Sequence, residues 1–209
     1  MSTAEEGALG LRERKKLRTR ETIARVALDL FAEHGFHATT IRQIADAADV
    51  APRTVSGYFP VKEELVFPDH DHVFGGLTER LERRGDGETA VDALRAWLVG
   101  FLDDPVIADS REFARRRAVI ESDPALRIYE RGLQERGERA VAAAVAVDLG
   151  LPEDDLLPHM VGAATLAALD ALGRRDLPTA GSEGGSMALI DDAMAFIGAG
   201  VSRLAERAR

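Results

Sequence analysis

Five residues with hydrogen-bonding or very small side chains follow Pro52 in the sequence. They are Arg53, Thr54, Ser56, Gly57 and Tyr58. Val55 and Phe59 are four residues apart and can pack inward from one side of a short helix, which leaves the polar set on the open side. Arginine can form paired hydrogen bonds to one guanine, hydroxyl groups can hold phosphates, and small residues permit a close approach. These residue types therefore suit a helix that enters the major groove of DNA.

The residues before this short helix predict the frame that positions it. Thr40 and Gln43 have the spacing of a capping box, in which two side chains satisfy free N–H groups at a helix start. The apolar residues that follow form one buried stripe: Ile41, Ile44, Ala45 and Ala48. Asp49 stands where the chain must leave that helix, and aspartate tolerates a left-handed backbone. Pro52 suits the first turn of the next helix, so the pattern predicts helix, tight turn, helix.

Two further helices enclose this pair. An amphipathic helix comes first and ends at Gly35, and its apolar residues are Leu17, Ile23, Ala27, Leu30 and Phe31. A fourth helix is predicted from about Lys62 towards Leu81, with Pro68 as a kink or an interruption. Because the helix around Arg53 is too short to be stable alone, these neighbours must hold it by its apolar side.

Basic charge is concentrated at the N-terminal end of an acidic chain. The 209 residues carry a formal net charge of −9, yet residues 1–66 contain ten Lys/Arg and ten Asp/Glu. Residues 12–25 alone contain seven basic and two acidic residues, a local charge of +5. Since attraction to phosphates needs clustered cations, this distribution permits a nucleic-acid partner in spite of the acidic total.

The composition also limits the compartment and the chemistry. The chain has no cysteine, which removes disulfides, thiol nucleophiles and thiolate metal sites from consideration. Residues 1–10 lack the apolar core of a secretory signal. The longest unbroken apolar run, residues 140–147, is far shorter than the ~20 residues that span a bilayer. We expect a soluble cytoplasmic protein without a membrane partner.

The sequence after Gly85 predicts helices and no strand of convincing length, so the predicted fold class is all-α. The expected helices cover residues 88–102, 110–121, 124–149, 153–174 and 187–207, and Gly and Pro residues punctuate the joints. The last two have broad apolar surfaces rich in small side chains. One neighbouring helix cannot cover such a width, so we expect them to form a homodimer through a helix bundle.

Metal and catalytic sites are not expected. One run alternates acidic and imidazole groups: Asp69, His70, Asp71 and His72. Ligands on a helix need spacings of three or four to share a face, so a solvated helix face is the favoured interpretation of this run. The sequence has no nucleophile elbow, no phosphate-binding glycine loop and no zinc-binding His–Glu pair. We expect no enzyme activity, no metal and no cofactor.

Six residues of the C-terminal half are candidates for contact with a small molecule: Trp97, Phe101, Phe113, Arg117, Tyr129 and His159. The aromatic side chains suit either a packed core or a cavity wall, and spacing alone does not separate these roles. Residues 115–117 are consecutive arginines that fan around a helix, so at most one or two point inward, where an arginine could meet an anionic effector. His159 could orient an effector in an apolar cavity or serve the structure only.

The stretch TRETIARVALDLFAEHGFHATTIRQIADAADVAPRTVSGYFPVKEEL, residues 19–65, resembles the DNA-binding domain of TetR-type repressors. The resemblance implies an all-helical homodimer that dimerises through its last two helices, about residues 153–174 and 187–207. It implies a flexible tail (1–10), a helix-turn-helix DNA-binding domain (11–66) and a C-terminal ligand-binding and dimerisation domain (67–209). The DNA-contacting positions of the family fall on Thr40, Arg42, Arg53, Thr54, Ser56, Tyr58 and Lys62.

The C-terminal half carries a second resemblance. Residues 115–127, RRRAVIESDPALR, and the run DDLLPHMVGAATLAAL after Pro152 are similar to an actinobacterial branch of the family. That branch is associated with acyl-CoA-like ligands, so the resemblance implies an effector of this class.

Three residues depart from the family pattern in its DNA-binding part. Asp49 replaces the usual glycine of the turn, Ala51 replaces the serine that usually caps the recognition helix, and Ser56 replaces an aromatic residue that packs on a phosphate. A lost capping hydroxyl costs about 1 kcal/mol of helix stability. We therefore expect DNA binding that is weaker or more sensitive to salt.

Two functions from different classes are compatible with these observations. The preferred hypothesis is a ligand-responsive transcriptional regulator, most often a repressor that an effector releases from a near-palindromic operator. The alternative is an all-helical small-molecule-binding protein or enzyme without DNA-binding activity, whose N-terminal helices are structural only. The three departures from the family pattern favour the alternative. Activation and repression are not separated by the sequence.

Overall fold

All regular secondary structure in the described part of the protein is helical. A computed structural model describes residues 10–102, 110–173 and 183–208, and within these ranges no residue forms a strand. The predicted all-α class is confirmed. The helices are α1 (Leu11–His34), α2 (Ile41–Ala47), α3 (Pro52–Tyr58), a 3₁₀ helix (Lys62–Leu65), α4 (His70–Glu82), α5 (Ala90–Leu102), α6 (Ser110–Ser122), α7 (Pro124–Leu149), α8 (Leu156–Gly173) and α9 (Glu183–Ala208). None of these helices has the length and apolar character that crossing a membrane requires.

The chain divides into two compact units. The first comprises Met1–His70 and Asp104–Arg131, and the second comprises Asp71–Asp103 and Gly132–Arg209. The first unit thus includes α6 and the beginning of α7 as well as the N-terminal helices. The functional boundaries predicted from the sequence, 11–66 and 67–209, remain predictions. The predicted tail lies outside the described residues except for Gly10.

The core of the first unit is built from the stripes that the sequence predicted. Ile44 and Ala45 of α2 are fully buried, as are Val55 of α3 and the adjoining Phe59. The other members come from α1, the 3₁₀ segment, α6 and α7 and include Ile23, Phe31, Leu65, Val66, Val119, Ile120 and Leu126. Each large apolar side chain buried here contributes about 1.5–3 kcal/mol, so the short helices depend on this shared core.

Helix α1 is longer than its apolar pattern indicated. It begins at Leu11, whereas the pattern starts at Leu17, and its first buried residue is Ile23. Its end is as predicted, because Gly35 adopts a φ of 85° and donates its N–H to the Phe31 carbonyl at 2.9 Å. Glycine takes this backbone conformation without steric cost.

Pro68 separates two helices, which confirms the predicted interruption. The chain forms the 3₁₀ helix up to Leu65, and α4 starts at His70. Proline lacks an N–H and restricts the residue before it, so a continuous helix through this position is unfavourable. Later boundaries agree within a few residues, although α9 begins at Glu183 instead of 187. The predicted glycine-rich loop, residues 178–186, lies in part outside the described residues.

Close helix contacts define the second unit. A Cβ atom on Gly162 of α8 would lie 2.4 Å from the Glu138 carbonyl oxygen, and one on Gly137 would lie 2.4 Å from the Phe74 ring. These distances leave no room for a side chain. The partly buried carboxylate of Asp148 joins α7 to the segment between α4 and α5. It accepts hydrogen bonds from Arg84 at 3.1 Å and from the N–H of Ala90, the first residue of α5, at 2.6 Å.

Candidate nucleic-acid interface

The start of α2 is set by a capping box, as the sequence predicted. The Gln43 N–H donates to the Thr40 hydroxyl at 3.2 Å, and the Thr40 N–H donates to Gln43 Oε1 at 2.8 Å. Two free N–H groups are satisfied in this way. The Thr39 hydroxyl, fully buried just before, donates to the Gly35 carbonyl at 2.9 Å and so connects the end of α1 to the cap.

The turn after α2 uses a left-handed residue. Asp49 has a φ of 53°, and among the described residues it is the only non-glycine residue with a positive φ. The Val50 N–H donates to the Ala45 carbonyl at 2.9 Å, and the Asp49 N–H donates to the Asp46 carbonyl at 3.4 Å. This is the Schellman arrangement, in which the last carbonyls of a helix are satisfied by the residues that leave it. The prediction for Asp49 is confirmed, and the turn forms without glycine.

Helix α3 presents its polar residues outward. Val55 is 0% exposed and Phe59 is 1% exposed, so the apolar side is held completely. Arg53, Ser56 and Gly57 are exposed, and Thr54 and Tyr58 are partly exposed. Pro52 occupies the first turn, and the N-cap residue Ala51 makes no side-chain capping bond. The predicted absence of a capping hydroxyl is therefore confirmed.

Arg20 holds the C-terminal end of α3, a role that the sequence pattern did not predict. Its guanidinium donates to the Tyr58 carbonyl at 2.8 Å and to the Pro68 carbonyl at 2.7 Å. It also lies 4.3 Å from the centre of the Phe59 ring. Ile23, the first buried residue of α1, lies three positions after Arg20, so helical spacing places Arg20 on the inward side. That spacing is the signal that could have identified it.

Lys62 is directed towards the protein. Its ammonium donates to the Phe36 carbonyl and lies 4.3 Å from the centre of the Phe36 ring. Burial lowers the pKa of Lys62 from its ordinary value, whereas the charges of Glu63 and Asp123 raise it. An ammonium has three N–H groups, so this contact leaves donors available for a phosphate.

Arg42 has a different environment. It is strongly exposed on α2, and its partner is Asp46, four residues on, at 3.9 Å. Exposed pairs of this kind contribute about 0–1 kcal/mol, so a phosphate could replace the carboxylate at little cost.

Comparison with known proteins identifies the family. Residues 23–67 match the model of bacterial regulatory proteins of the tetR family, and residues 88–202 match the model of the MftR C-terminal domain. The chain is 34% identical over 174 residues to the HTH-type transcriptional regulator TcmR of Streptomyces glaucescens, which covers 79% of this chain and 74% of that protein. The protein belongs to the TetR family.

Other comparisons agree with this assignment. MftR of Mycobacterium tuberculosis, a transcriptional regulator named for mycofactocin biosynthesis, is 29% identical over 148 residues, 71% of this chain and 74% of that protein. Salmonella enterica GusR has the same fold, with a TM-score of 0.59, 20% identity and coverage of 89% and 96%. This TetR-family protein is a ligand-responsive, DNA-binding transcriptional regulator. The family resemblance inferred from residues 19–65 is confirmed.

The six candidate effector residues of this TetR-family protein divide between the two units. Trp97 and Phe101 stack in α5 of the second unit, with ring centres 5.1 Å apart, and His159 of α8 is exposed. The first unit contains the others. Phe113 is 43% exposed, Tyr129 packs against Phe67 with ring centres 5.6 Å apart, and Arg117 pairs with Glu130 at 2.7 Å and Glu121 at 3.2 Å.

The alternating acid and imidazole run lies around the start of α4. Asp69 lies 3.8 Å from Arg116, and Asp71 pairs with Arg136 at 3.0 Å. Within the described ranges, no three His, Asp or Glu residues form a group that could hold a metal ion. The acidic groups of the run thus have arginine partners.

Proposed function

We propose that this protein represses transcription by binding a near-palindromic operator as a homodimer, with one α3 in each of two major grooves. The observation that carries the proposal is the exposed polar face of α3, whose opposite side is completely buried through Val55 and Phe59. A helix of seven residues fixed in this way can place side chains on base edges without losing order. Half-sites would lie about 34–36 Å apart, one turn of the duplex.

The proposed contacts divide by chemistry. Arg53 is the candidate for paired hydrogen bonds to a guanine, and Gly57 lets α3 approach the bases closely. The remaining residues offer hydroxyl groups or charge to the phosphate backbone: Thr40, Arg42, Thr54, Ser56, Tyr58 and Lys62. Phosphate contacts set the register of a protein on the duplex, so this group would orient Arg53.

The proposed dimer interface is formed by α8 and α9. Leu156 and Met160 of α8 and Phe196 of α9 are large apolar residues that remain exposed in the single chain. Small exposed residues surround them on the same helices: Ala163, Ala164, Ala167, Ala195 and Ala199. A face of this kind suits a second copy, because small side chains let helices of two protomers approach closely while the large ones fill the gaps.

The proposed effector is an acyl-CoA-like molecule. FadR of Thermus thermophilus, described in complex with lauroyl-CoA, shares the fold with a TM-score of 0.53 and 23% identity. In this chain the stacked, half-buried Trp97 and Phe101 offer an apolar surface that suits an acyl chain. An effector of this class would favour a dimer whose recognition helices have a spacing that the operator does not match.

The remaining expectations follow from this role. We infer that the protein has no catalytic activity of its own, since its relatives act as transcriptional regulators. We also place it in the bacterial cytoplasm, where the chromosome is accessible to a DNA-binding regulator.

Loss of the Arg53 side chain tests the DNA-binding proposal. The Arg53→Ala protein and an Arg25→Ala control, which removes an exposed arginine of the same unit, are titrated by anisotropy against labelled duplex that flanks the protein's own gene. We expect Arg53→Ala to weaken binding by about 1–3 kcal/mol and to relax selectivity at one base pair. Equal binding by both variants would contradict the assignment of Arg53.

The effector proposal has a built-in reporter. Trp97 is the only tryptophan in the chain, so its fluorescence reports ligand contact at α5 directly. Lauroyl-CoA should change this fluorescence and release labelled operator over the same concentration range, whereas coenzyme A alone should do neither. A fluorescence change without DNA release would remove the regulatory part of the proposal.

A further inference from the structure

Helix α1 extends well beyond the core that it supports. Its first turn begins at Leu11, but none of residues 11–22 is buried, and Ile23 is the first residue that is. Twelve helical residues correspond to about 18 Å at 1.5 Å per residue. We call residues 11–22 the α1 extension. Apart from Arg20 near its end, which contacts the Phe59 ring, the α1 extension contributes no side chain to the core, so core packing does not explain its length.

The α1 extension carries unpaired positive charge. Five cations lie within seven residues, against Glu13 alone, a net charge of +4: Arg12, Arg14, Lys15, Lys16 and Arg18. Within the described ranges, no carboxylate lies within 4.0 Å of any of the five. Exposed arginines of the second unit differ, since Arg83, Arg139 and Arg203 each pair with a glutamate three or four residues away.

This arrangement has a cost for folding. Like charges three or four residues apart destabilise a helix by about 0.2–0.5 kcal/mol per pair, and a single carboxylate, Glu13, stands among these five cations. The rest of the chain is acidic, with a total of −9. A concentrated cationic helix with no ion pair to the described residues, in an acidic protein, indicates a polyanionic partner.

Part of the α1 extension lies beside the helix-turn-helix. A shallow groove of about 180 Å³ has Lys15, Arg18, Thr19 and Thr22 along one side and Ala48 and Val50 along the other. Val50 precedes Pro52, the first residue of α3, by two positions. The hydroxyls of Thr19 and Thr22 donate to carbonyls of their own helix at 2.9 Å and 2.8 Å. The two cations are therefore the groups that could bind an anion in this groove.

We propose that the α1 extension is a second DNA-binding surface, which holds backbone phosphates that flank the bases read by α3. Lys15 and Arg18 would bind a phosphate at the groove, and Arg12, Arg14 and Lys16 would continue along the backbone away from the turn. The contacts are independent of sequence, because ammonium and guanidinium groups meet phosphate oxygens alone. This inference rests on the proposed function, since it extends the DNA surface that contains α3.

The test compares three charge variants by anisotropy titration at 50–200 mM salt. The first is Lys15→Ala/Lys16→Ala/Arg18→Ala, whose alanines preserve helix propensity. The matched control is Arg83→Ala/Arg136→Ala/Arg139→Ala, which makes the same change in net charge at exposed positions outside the proposed dimer interface. A conservative variant, Lys15→Arg/Lys16→Arg/Arg18→Lys, retains the charge. Each protein is titrated with the duplex that flanks its own gene and with a random duplex of equal length, after circular dichroism has verified its helicity.

The first variant should flatten the plot of log affinity against log salt by about 0.9 for each lost phosphate contact. A bound dimer loses three contacts in each protomer, and six lost contacts correspond to a slope change of roughly 5 and a loss of affinity on the order of a hundredfold or more at 50 mM salt. The loss should be equal for both duplexes, so the ratio of specific to random binding stays unchanged. The control and the conservative variant should retain the wild-type slope.

The titrations have two outcomes that would overturn the inference and leave the proposed function intact. One is a wild-type slope in the first variant, and the other is an equal loss in the matched control. The inference would also be overturned if the first variant lost binding to vesicles of acidic lipid while its DNA binding stayed unchanged. The α1 extension would then be a membrane-binding surface. Failure of the proposed function would give a different result. The wild-type protein would then bind the duplex that flanks its own gene no more tightly than the random duplex.

Discussion

The two units of the protein stabilise their helices in different ways. In the first, α2 and α3 have seven residues each; the Thr40 side chain caps the start of α2, and Arg20 of α1 binds the end of α3. In the second, α8 and α9 have 18 and 26 residues, and Gly162 lets α8 pack closely on α7. A short helix cannot offset the cost of its own nucleation, whereas a long one can.

The difference also separates the surfaces that the two units expose. The short helices carry an outward polar face that suits DNA, and a buried apolar side holds them in place. The long helices carry exposed apolar residues, Phe196 among them, which suit a second copy of the chain. The polar face of the short helices thus depends on specific hydrogen bonds at helix ends, whereas the proposed dimer interface of α8 and α9 depends on side-chain size.

The largest expected effect is on the core of the first unit. Phe59→Ala removes a ring that is 1% exposed and lies under Arg20, so we expect a loss of about 3–5 kcal/mol in unfolding free energy together with loss of DNA binding. Urea unfolding is followed by circular dichroism and by Trp97 fluorescence, which reports the second unit.

The matched control for that experiment is Phe113→Ala, at a position that is 43% exposed and should lose less than about 1 kcal/mol. If the two units are stabilised separately, the Trp97 transition of Phe59→Ala stays near its wild-type midpoint. If the urea midpoint observed by Trp97 fluorescence shifted as far as the midpoint observed by circular dichroism, the two units would unfold together and would not be stabilised separately.

The next effect concerns association. Phe196→Glu places a charge on the proposed dimer face and should give a monomer by light scattering, with affinity for a two-half-site operator reduced about a hundredfold or more. Val147→Glu is the control, because Val147 of α7 is exposed to the same extent, 73% against 72%, and lies outside that face. A dimeric Phe196→Glu protein would place the interface elsewhere.

A smaller effect is expected where α7 and α8 approach most closely. Gly162→Ala adds a methyl group 2.4 Å from the Glu138 carbonyl oxygen, and backbone atoms cannot move aside cheaply, so we expect a loss of about 1–3 kcal/mol. Gly132→Ala meets nothing within 4 Å and should stabilise α7 by about 0.5–1 kcal/mol. The opposite signs should appear as opposite shifts of the urea midpoint, and equal shifts would refute the close contact.

The smallest effect would strengthen the first unit. Ala51→Ser supplies the capping hydroxyl that α3 lacks, so we expect a gain of about 1 kcal/mol and tighter operator binding. Ala114→Ser, within α6 and exposed, should instead lose a few tenths of a kcal/mol through helix propensity. An unchanged urea midpoint in Ala51→Ser would mean that another group already satisfies the start of α3.

Much of the recognition region could be predicted from sequence because its determinants are local. The Thr40 and Gln43 box, the left-handed Asp49 and the first-turn Pro52 each depend on residues within a few positions of one another, and all three occur as expected. The helical pattern likewise located the buried stripes and the break at Pro68. The early start of α1 was missed, because a helix without buried residues has no apolar period to detect.

Only the tertiary structure decides which cations bind backbone carbonyls of the protein itself and which do not. Arg20 binds two carbonyls 38 and 48 residues away, and Lys62 binds one 26 residues away, while Lys15 and Arg18 have no such partner in the described part of the chain. All four carry the same charge, and although the spacing from Ile23 could mark Arg20 as inward, no local pattern identifies the carbonyls that Arg20 and Lys62 bind. The sequence determined the helices and their caps, since those energies arise between near neighbours. Only folding brought distant carbonyls to particular side chains.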